Sequence, residues 1–408
     1  MRKINTRSFV RATRATPREI NRQIVLNLVR EHQPISRADL ARRLDVGRGM
    51  VTSIVGRLIK EGVLYEGATV DAPRGRRPKM LHIRTRDRLV AAVDVRFSRT
   101  FVMLADFSGN PIAVESFETV NVPADLVAEI AKRIRGLLDT HAANGRCEGI
   151  GVAVPGMVDH RTGRVLNAPQ LGWRDVDIRD SLARATGLPV QIENAPVACA
   201  LAHMWLGGGA RGGEAIGDFA YVTISDGVGV GAVINGDVVR GHDNTAGEFG
   251  HVALSFDGPP CFCGARGCFE AYASNIATLS RYLGEELTPA AIRGVLHSTG
   301  LTVSEVIARA RGGDYRAIAA IDATARYLGA GLSMVIAALN PSQIFIGGEI
   351  TEAWDRIEPI VRKVITERAL TPAAAATPIY PDPPTSFPRL RGATALVTAP
   401  MFAAPRVA

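Results

Sequence analysis

The stretch Ala246-Gly-Glu-Phe-Gly-His-Val-Ala-Leu-Ser-Phe-Asp-Gly-Pro-Pro-Cys-Phe-Cys-Gly-Ala-Arg-Gly-Cys-Phe-Glu-Ala-Tyr-Ala273 decides how the rest of the chain is read. Three of the five cysteines fall inside it as Cys261-x-Cys263-x4-Cys268, and His251 stands ten positions before the first. Three thiolates and one imidazole complete a tetrahedral set for a structural zinc ion and leave no position for a reactive water. Gly264 and Gly267 let so short a loop fold back on one ion without steric cost. Three inert, buried cysteines are the other reading, and the scarcity of cysteine elsewhere speaks against it. His251, Cys261, Cys263 and Cys268 are therefore expected to hold one Zn2+ per chain.

Glu248 and Glu270 flank this loop, and zinc needs neither. A metal clip that fixes a loop also fixes the side chains the loop presents. Two carboxylates and an imidazole could hold the hydroxyls of a small polyol, or the glutamates could be solvated surface charges. The residues alone leave both readings open. The run resembles the hallmark of the ROK family (repressors, open reading frames and kinases), a Gly-Glu-x-Gly-His element followed by Cys-x-Cys-Gly-x-x-Gly-Cys-x-Glu. Every position of it is matched by Gly247–His251 and Cys261–Glu270. The resemblance implies that Glu248, His251 and Glu270 contact sugar while His251 also binds the metal, one ring nitrogen for each task.

Hydrophobic residues make up 47% of the 408, enough for two or three domains with real cores. No apolar run reaches the length of a membrane span, and the start Met-Arg-Lys-Ile-Asn-Thr-Arg is too polar for a secretory signal. Few cysteines, most of them in a metal-binding pattern, point to a reducing cytoplasm with no membrane partner. The net charge of +8 is unevenly spread: residues 1–84 carry 19 Lys and Arg against 7 Asp and Glu, and the remainder 29 against 33. A basic module joined to a mildly acidic one suggests that only the first meets a polyanion.

Residues 1–16 read as a basic arm. Helical spacing of Ile20, Ile24, Val25, Leu28 and Val29 predicts a helix over 18–30, opened by Pro17 in its first turn and ended by Pro34. Ser36 three residues before Asp39 predicts a capping box for a second helix ending near Leu44. A third helix, 48–61, turns Val51, Ile54, Val55, Leu58 and Ile59 inward and closes at Gly62. Two strands, 63–66 and 79–83, follow with the basic tip Arg74-Gly-Arg-Arg-Pro-Lys79 between them. This is a winged helix-turn-helix. Arg48, Thr52, Ser53 and Arg57 on helix three and Arg74, Arg76, Arg77 and Lys79 on the wing are the candidate contacts to double-stranded operator DNA.

From Leu89 the chain alternates strands and helices, with strands at 89–95, 100–106 and 112–119, a helix at 126–143, strands at 149–155 and 189–192, and a hairpin of 219–225 with 230–234. A helix over 315–339 and a strand over 343–346 follow, and 393–402 is expected to form a terminal helix. The blocks Gly149–Asp159, Asn167–Trp173 and Gly187–Val190 extend the resemblance, which runs from about residue 18 to about 350 and includes the winged helix of the family's repressors. It implies an α/β actin-like sugar-kinase-type two-lobed domain, preceded by an all-α plus wing (winged helix-turn-helix) domain. The expected boundaries are 1–84 for the DNA-binding domain, 85–88 for a linker and 89–408 for the sugar domain.

The family's kinases carry an Asp-x-Gly-Gly-Thr turn for phosphate and an Asn-Asp pair whose aspartate deprotonates the sugar. Here the turn is Asp94-Val-Arg-Phe-Ser98, with Arg96 and Phe97 at the glycine positions, and the pair is Asn194-Ala195. The second glycine turn, Ser225-Asp-Gly-Val-Gly-Val-Gly231, persists in part. Asn194 remains to bond a sugar, while alanine accepts no proton; Asp226 could substitute as the base if the geometry allowed, though nothing in the sequence demands it. Two functions compete: a sugar-responsive transcriptional repressor without catalytic activity, and an ATP-dependent sugar kinase with an accessory DNA-binding module. The Arg96-Phe97 and Ala195 positions decide for the repressor. A sugar or sugar-phosphate effector and assembly as a homodimer or dimer of dimers complete the expectation.

Overall fold

The computed structural model describes residues 16–69, 78–85, 87–206, 217–287 and 291–403, and these fall into two compact units. The first comprises 1–89, 143–146 and 398–408, and the second 90–142 and 147–397.

In the first unit, helices α1 (Thr16–His32), α2 (Arg37–Leu44) and α3 (Arg48–Lys60) surround a three-stranded sheet of β1 (Ile35–Ser36), β3 (Lys79–Ile83) and β2 (Leu64–Thr69), in that order. The capping box forms: the Asp39 amide donates to the Ser36 hydroxyl oxygen, and Asp39 accepts from the Ser36 backbone. Gly62 takes a φ of 72° just beyond α3, the left-handed geometry that favours glycine. The buried stripe of α1 is Val25, Leu26 and Val29, whereas Ile24, expected inside, is 41% exposed. The stripe is rotated by one residue, with Leu26 fully buried in place of the expected Ile24. Two distant segments complete this unit. The Asn27 side-chain amide donates to the Phe402 carbonyl at 2.8 Å, and the Arg146 amide donates to the Asp87 carbonyl at 3.1 Å. Arg88, expected in a linker, already begins the strand β4.

The second unit is two lobes of one plan. The first lobe contains β4 (Arg88–Val95), β5 (Arg99–Asp106), β6 (Pro111–Glu118), α4 (Pro123–Thr140), β7 (Arg146–Val154), α5 (Arg179–Thr186), β11 (Val190–Asn194) and α6 (Ala195–Trp205). A small sheet of β8 (Met157–Asp159), β9 (Arg164–Ala168) and β10 (Trp173–Asp177) is inserted after β7. The second lobe contains β12 (Phe219–Ile224), β13 (Val228–Ile234) and β14 (Asp237–Val238), then α7 (Phe269–Ala273), α8 (Asn275–Leu283), α9 (Ile292–Thr299), α10 (Val303–Arg311) and α11 (Tyr315–Leu339). It ends with β15 (Gln343–Gly347), α12 (Trp354–Arg368), α13 (Pro372–Ala375) and β16 (Ile379–Asp382), and α14 (Pro388–Thr398) follows. The sheet orders are β11-β7-β4-β5-β6 and β14-β13-β12-β15-β16. Numbered within each lobe, the first order reads as the fifth, fourth, first, second and third strand, and the second reads the same from its β16 end, so the lobes repeat one topology. The β12–β13 turn is tighter than its glycines suggest, with Ile224 already opposite Val228.

The terminal helix α14 begins at Pro388, five residues before its expected start, and packs Leu390, Ala393 and Leu396 against Ala92, Met103, Ala105 and Ala153 of the first sheet. Small residues allow this. A Cβ on Gly151 would lie 1.8 Å from the Ala393 carbonyl oxygen, closer than any non-bonded contact allows. Gly151→Ala is therefore expected to lower stability by about 1–3 kcal/mol through overpacking. Urea unfolding checks this, and an unchanged midpoint would contradict so close a docking of α14.

Candidate functional site

The loop between β14 and α7 returns along the mouth of a cleft between the two lobes. His251 Nδ1 lies 3.6 Å from Cys261 Sγ, and Cys263 Sγ lies 3.7 Å from Cys268 Sγ. All four ligand atoms fall within 4.8 Å of one another. A tetrahedral ion with bonds of about 2.3 Å to sulfur and about 2.0 Å to nitrogen needs edges of about 3.6–3.8 Å. The donor spacing suits one such ion. Burial and the nearby Glu270 carboxylate push the Cys261 thiol well up, so a thiolate there requires a compensating cation. Gly267 is held at φ 69° with a would-be Cβ only 1.5 Å from the Ser255 carbonyl oxygen, so the loop closes only with glycine there.

The cleft encloses about 940 Å3 of empty space, part of it continuous with solvent, and Asn194, Glu248, His251 and Glu270 all line it. His251 faces two ways: Nδ1 toward the thiols, Nε2 toward Glu248 Oε2 at 3.8 Å. Glu270 is buried, accepts from the Val228 amide at 3.0 Å, and lies 3.5 Å from Cys261 Sγ. Burial raises both glutamates above the ordinary carboxylate range, with His251 opposing the shift in each. Asn194 sits at the N-terminus of α6, its side-chain amide donating to the Gly156 carbonyl at 2.6 Å, which leaves its oxygen available. Beside it Glu193 pairs with Arg240 at 2.5 Å.

The far end of the cleft is filled. Arg96 Nε bonds Asp94 at 2.7 Å, Arg96 Nη1 bonds Glu349 at 2.6 Å, and the guanidinium lies over the Phe101 ring. Burial opposes the Arg96 charge, but Asp94 and Glu349 more than compensate. Phe97 is 2% exposed, buried in the core of the second lobe and edge-on to Phe262 of the metal loop. Ala195 is buried and carries no proton acceptor. Asp226 lies in the β12–β13 turn with its Oδ2 shut from solvent and without a hydrogen-bond partner among the described residues. Burial first, then the Glu349 charge, push Asp226 up to about 6, against the pull of Arg96 and Arg389.

In the first unit, Arg48, Thr52, Ser53 and Arg57 are all exposed on α3, opposite buried Val51, Val55 and Leu58. The Thr52 hydroxyl donates to the Arg48 carbonyl at 2.8 Å. Lys79 is paired with Glu66 at 2.8 Å, and Glu66 also pairs with Arg37. Arg74, Arg76 and Arg77 lie outside the described residues.

The family model described as ROK family matches residues 90–399, and a model of winged helix-turn-helix DNA-binding domains matches residues 18–65. The chain belongs to the ROK family. It is 28% identical over 371 residues to the xylose repressor of Bacillus subtilis, spanning 90% of this chain and 91% of that protein. It is 32% identical over 282 residues to a glucokinase of Halalkalibacterium halodurans, spanning 66% of this chain and 83% of that protein. A solved ROK family transcriptional regulator, a homolog of the Escherichia coli Mlc protein, superposes with a TM-score of 0.76 at 26% identity, covering 95% of this chain and 97% of the other. The two-lobed actin-like domain behind a winged helix-turn-helix is thus the fold of a ROK regulator, and the same two lobes also serve the family's kinases.

Several ROK cleft residues escape a reading of the sequence. Gln170 sits inside a recognised block, and its closeness to Glu270, which it bonds, depends on the inserted small sheet. Arg389 comes from α14, 164 positions from Ser225, whose hydroxyl it bonds at 3.1 Å, and nothing local marks it.

Two outcomes are expected of this ROK site. Cys263→Ala should lose the metal ion and lower the melting temperature of the sugar domain, because ligand-bound metal adds folding free energy directly. Elemental analysis of purified protein checks this, and well under one metal ion per chain in the unmutated protein contradicts it. Asp226 protonates more readily folded, at about 6, than at its ordinary 3.8, so the wild type loses stability as pH rises through that window. Asp226→Asn should be more stable by up to about 3 kcal/mol above pH 7, shrinking to about 1 kcal/mol near pH 4.5. A stability difference that does not vary with pH in urea unfolding would contradict the buried charge.

Proposed function

We propose that this ROK protein is a sugar-responsive transcriptional repressor that binds an operator through its winged helix and holds a sugar in its cleft without phosphorylating it. One observation supports this most: Asn194, Glu248, His251 and Glu270 line one cleft together, while Arg96 and Phe97, at the positions of the kinases' glycines, are tied to the second lobe and Ala195 stands at the position of their base. Phosphoryl transfer needs a phosphate cradle and an acceptor for the hydroxyl proton, and the positions where the family's kinases carry them read Arg96-Phe97 and Ala195 in this chain. In this reading the ion is a structural Zn2+, one per chain, that holds His251 and hence Glu248 in place.

Sugar binding changes the closure of the lobes, and the change shifts the spacing of the paired DNA-binding modules of a cytoplasmic homodimer or dimer of dimers. The genes controlled are those for carbohydrate uptake or breakdown, and the sugar releases the operator. Arg48, Ser53 and Arg57 face the major groove. Thr52 contributes its methyl group, because its hydroxyl proton is engaged by its own helix. Arg74, Arg76 and Arg77 meet the backbone or minor-groove rim. Lys79, held by Glu66, contributes less than its position on the wing suggests.

Mobility-shift titrations at several salt concentrations, on DNA from beside its own gene, test this reading. Arg48→Ala should cost about 1–3 kcal/mol and relax preference at one operator position, and Arg77→Ala should weaken all sequences evenly and lower the salt slope by about one. Equal affinity for those fragments and random DNA at physiological salt overturns the repressor reading. A coupled assay with ATP and hexoses should give no turnover above background; turnover near one per second, within the ordinary enzyme range, would favour the kinase reading.

A further inference from the structure

The charges lining the cleft are unevenly paired. Three arginines reach it, and each is already engaged by protein groups. Arg96 is bound by Asp94 and Glu349, and Arg240 by Glu193. Arg389 lies 2.8 Å from Asp94 and donates to the Ser225 hydroxyl and the Val95 carbonyl. Three carboxylates on the lining form no ion pair with an arginine among the described residues: Asp226, which Arg96 and Arg389 attract only from a distance, Glu248 and Glu270. His251, the one further basic group on the lining, is neutral when it is a metal ligand. The cleft is therefore rich in hydrogen-bond acceptors and carries surplus negative charge.

The glycine turn sharpens this. In a phosphate-binding turn, free backbone amides converge on the anion. Here the Val228 amide is taken by Glu270 at 3.0 Å, and the Ser225 amide by the Gly227 carbonyl at 2.9 Å. Asp226 stands at the head of the same turn, its Oδ2 buried and without a partner among the described residues. An incoming phosphate would meet a carboxylate there, in a partly desolvated cleft where like charges repel more strongly than in water. A sugar hydroxyl would instead supply the donor that the carboxylate lacks.

We propose that the effector is an uncharged, unphosphorylated monosaccharide, that sugar phosphates are excluded from the cleft, and that Asp226 is the residue that excludes them. The inference rests on the sugar-binding reading above and narrows its ligand. It also gives the buried carboxylate a purpose, since a destabilising charge at a binding site is a common cost of specificity.

Isothermal titration of the zinc-loaded full chain compares xylose, glucose and N-acetylglucosamine with glucose 6-phosphate and N-acetylglucosamine 6-phosphate. At least one neutral sugar should bind, and any 6-phosphate should bind at least about tenfold more weakly than its parent. In Asp226→Asn, and in Asp226→Ser as a second variant, that ratio should fall below about threefold, with melting temperature and zinc content confirming that the protein is folded. A 6-phosphate that binds the wild type as tightly as its parent overturns the inference and leaves the sugar reading intact. A ratio unchanged in both folded variants removes Asp226 from the role. Binding of no sugar in either series overturns the sugar reading itself, and this inference with it.

Discussion

One imidazole sits where the two halves of the site meet. His251 turns Nδ1 toward Cys261 of the three thiols and Nε2 toward Glu248, so the geometry that suits a metal ion also orients the Glu248 side of the cleft. Glu270 is tied to the same assembly through Cys261 and to the opposing hairpin through the Val228 amide. Ordering a loop of this length costs conformational entropy at every residue, which Phe249, Leu254 and Phe262, packed against the second lobe's core, offset in part. Cross-linking by an ion offsets that cost and fixes the side chains the loop presents. The glycines follow from the same constraint, since at Gly267 any side chain would strike the backbone of Ser255.

The opposite end of the cleft is governed by exclusion. The turn after β4 places Arg96 between Asp94 of its own lobe and Glu349 of the other, and Phe97 in the second lobe's core. Arg96 and Phe97 thus join the two lobes, one by an ion pair and the other by burial. Phe97 lies edge-on to Phe262, which sits between two cysteines of the candidate metal cluster, so Phe97 and that loop are in direct contact. In the proposed repressor reading, this contact is where a change in lobe closure would be coupled to a change at the sugar.

Much of this was legible in the sequence because it is local. The capping box of Ser36 and Asp39, the spacing of Val51, Val55 and Leu58, and the cysteine run each place their residues within one or two turns of chain. The position of Ile24 failed because Val25, Leu26 and Val29 form an equally good stripe one residue round, and only tertiary packing chooses between them. Arg389, Asn275 and Glu349 were invisible for another reason. Each meets its partner from a separate element, Arg389 donating to Ser225 across 164 positions and Asn275 to Glu349 at 2.8 Å across 74, and such pairs leave no periodic trace. Asp226 was visible as a residue in a glycine turn, but its missing partner is a property of the packed cleft.

The central claim is that sugar occupancy alone, without phosphoryl transfer, controls the DNA-bound state. Fluorescence anisotropy of a labelled operator fragment, titrated with the bound sugar with and without ATP and magnesium, tests it most directly when the sugar is recovered afterwards and weighed by mass spectrometry. The account predicts release of the fragment at the same sugar concentration in both series, with the sugar recovered unchanged. Release that requires ATP, or recovery of a phosphorylated sugar, would contradict it.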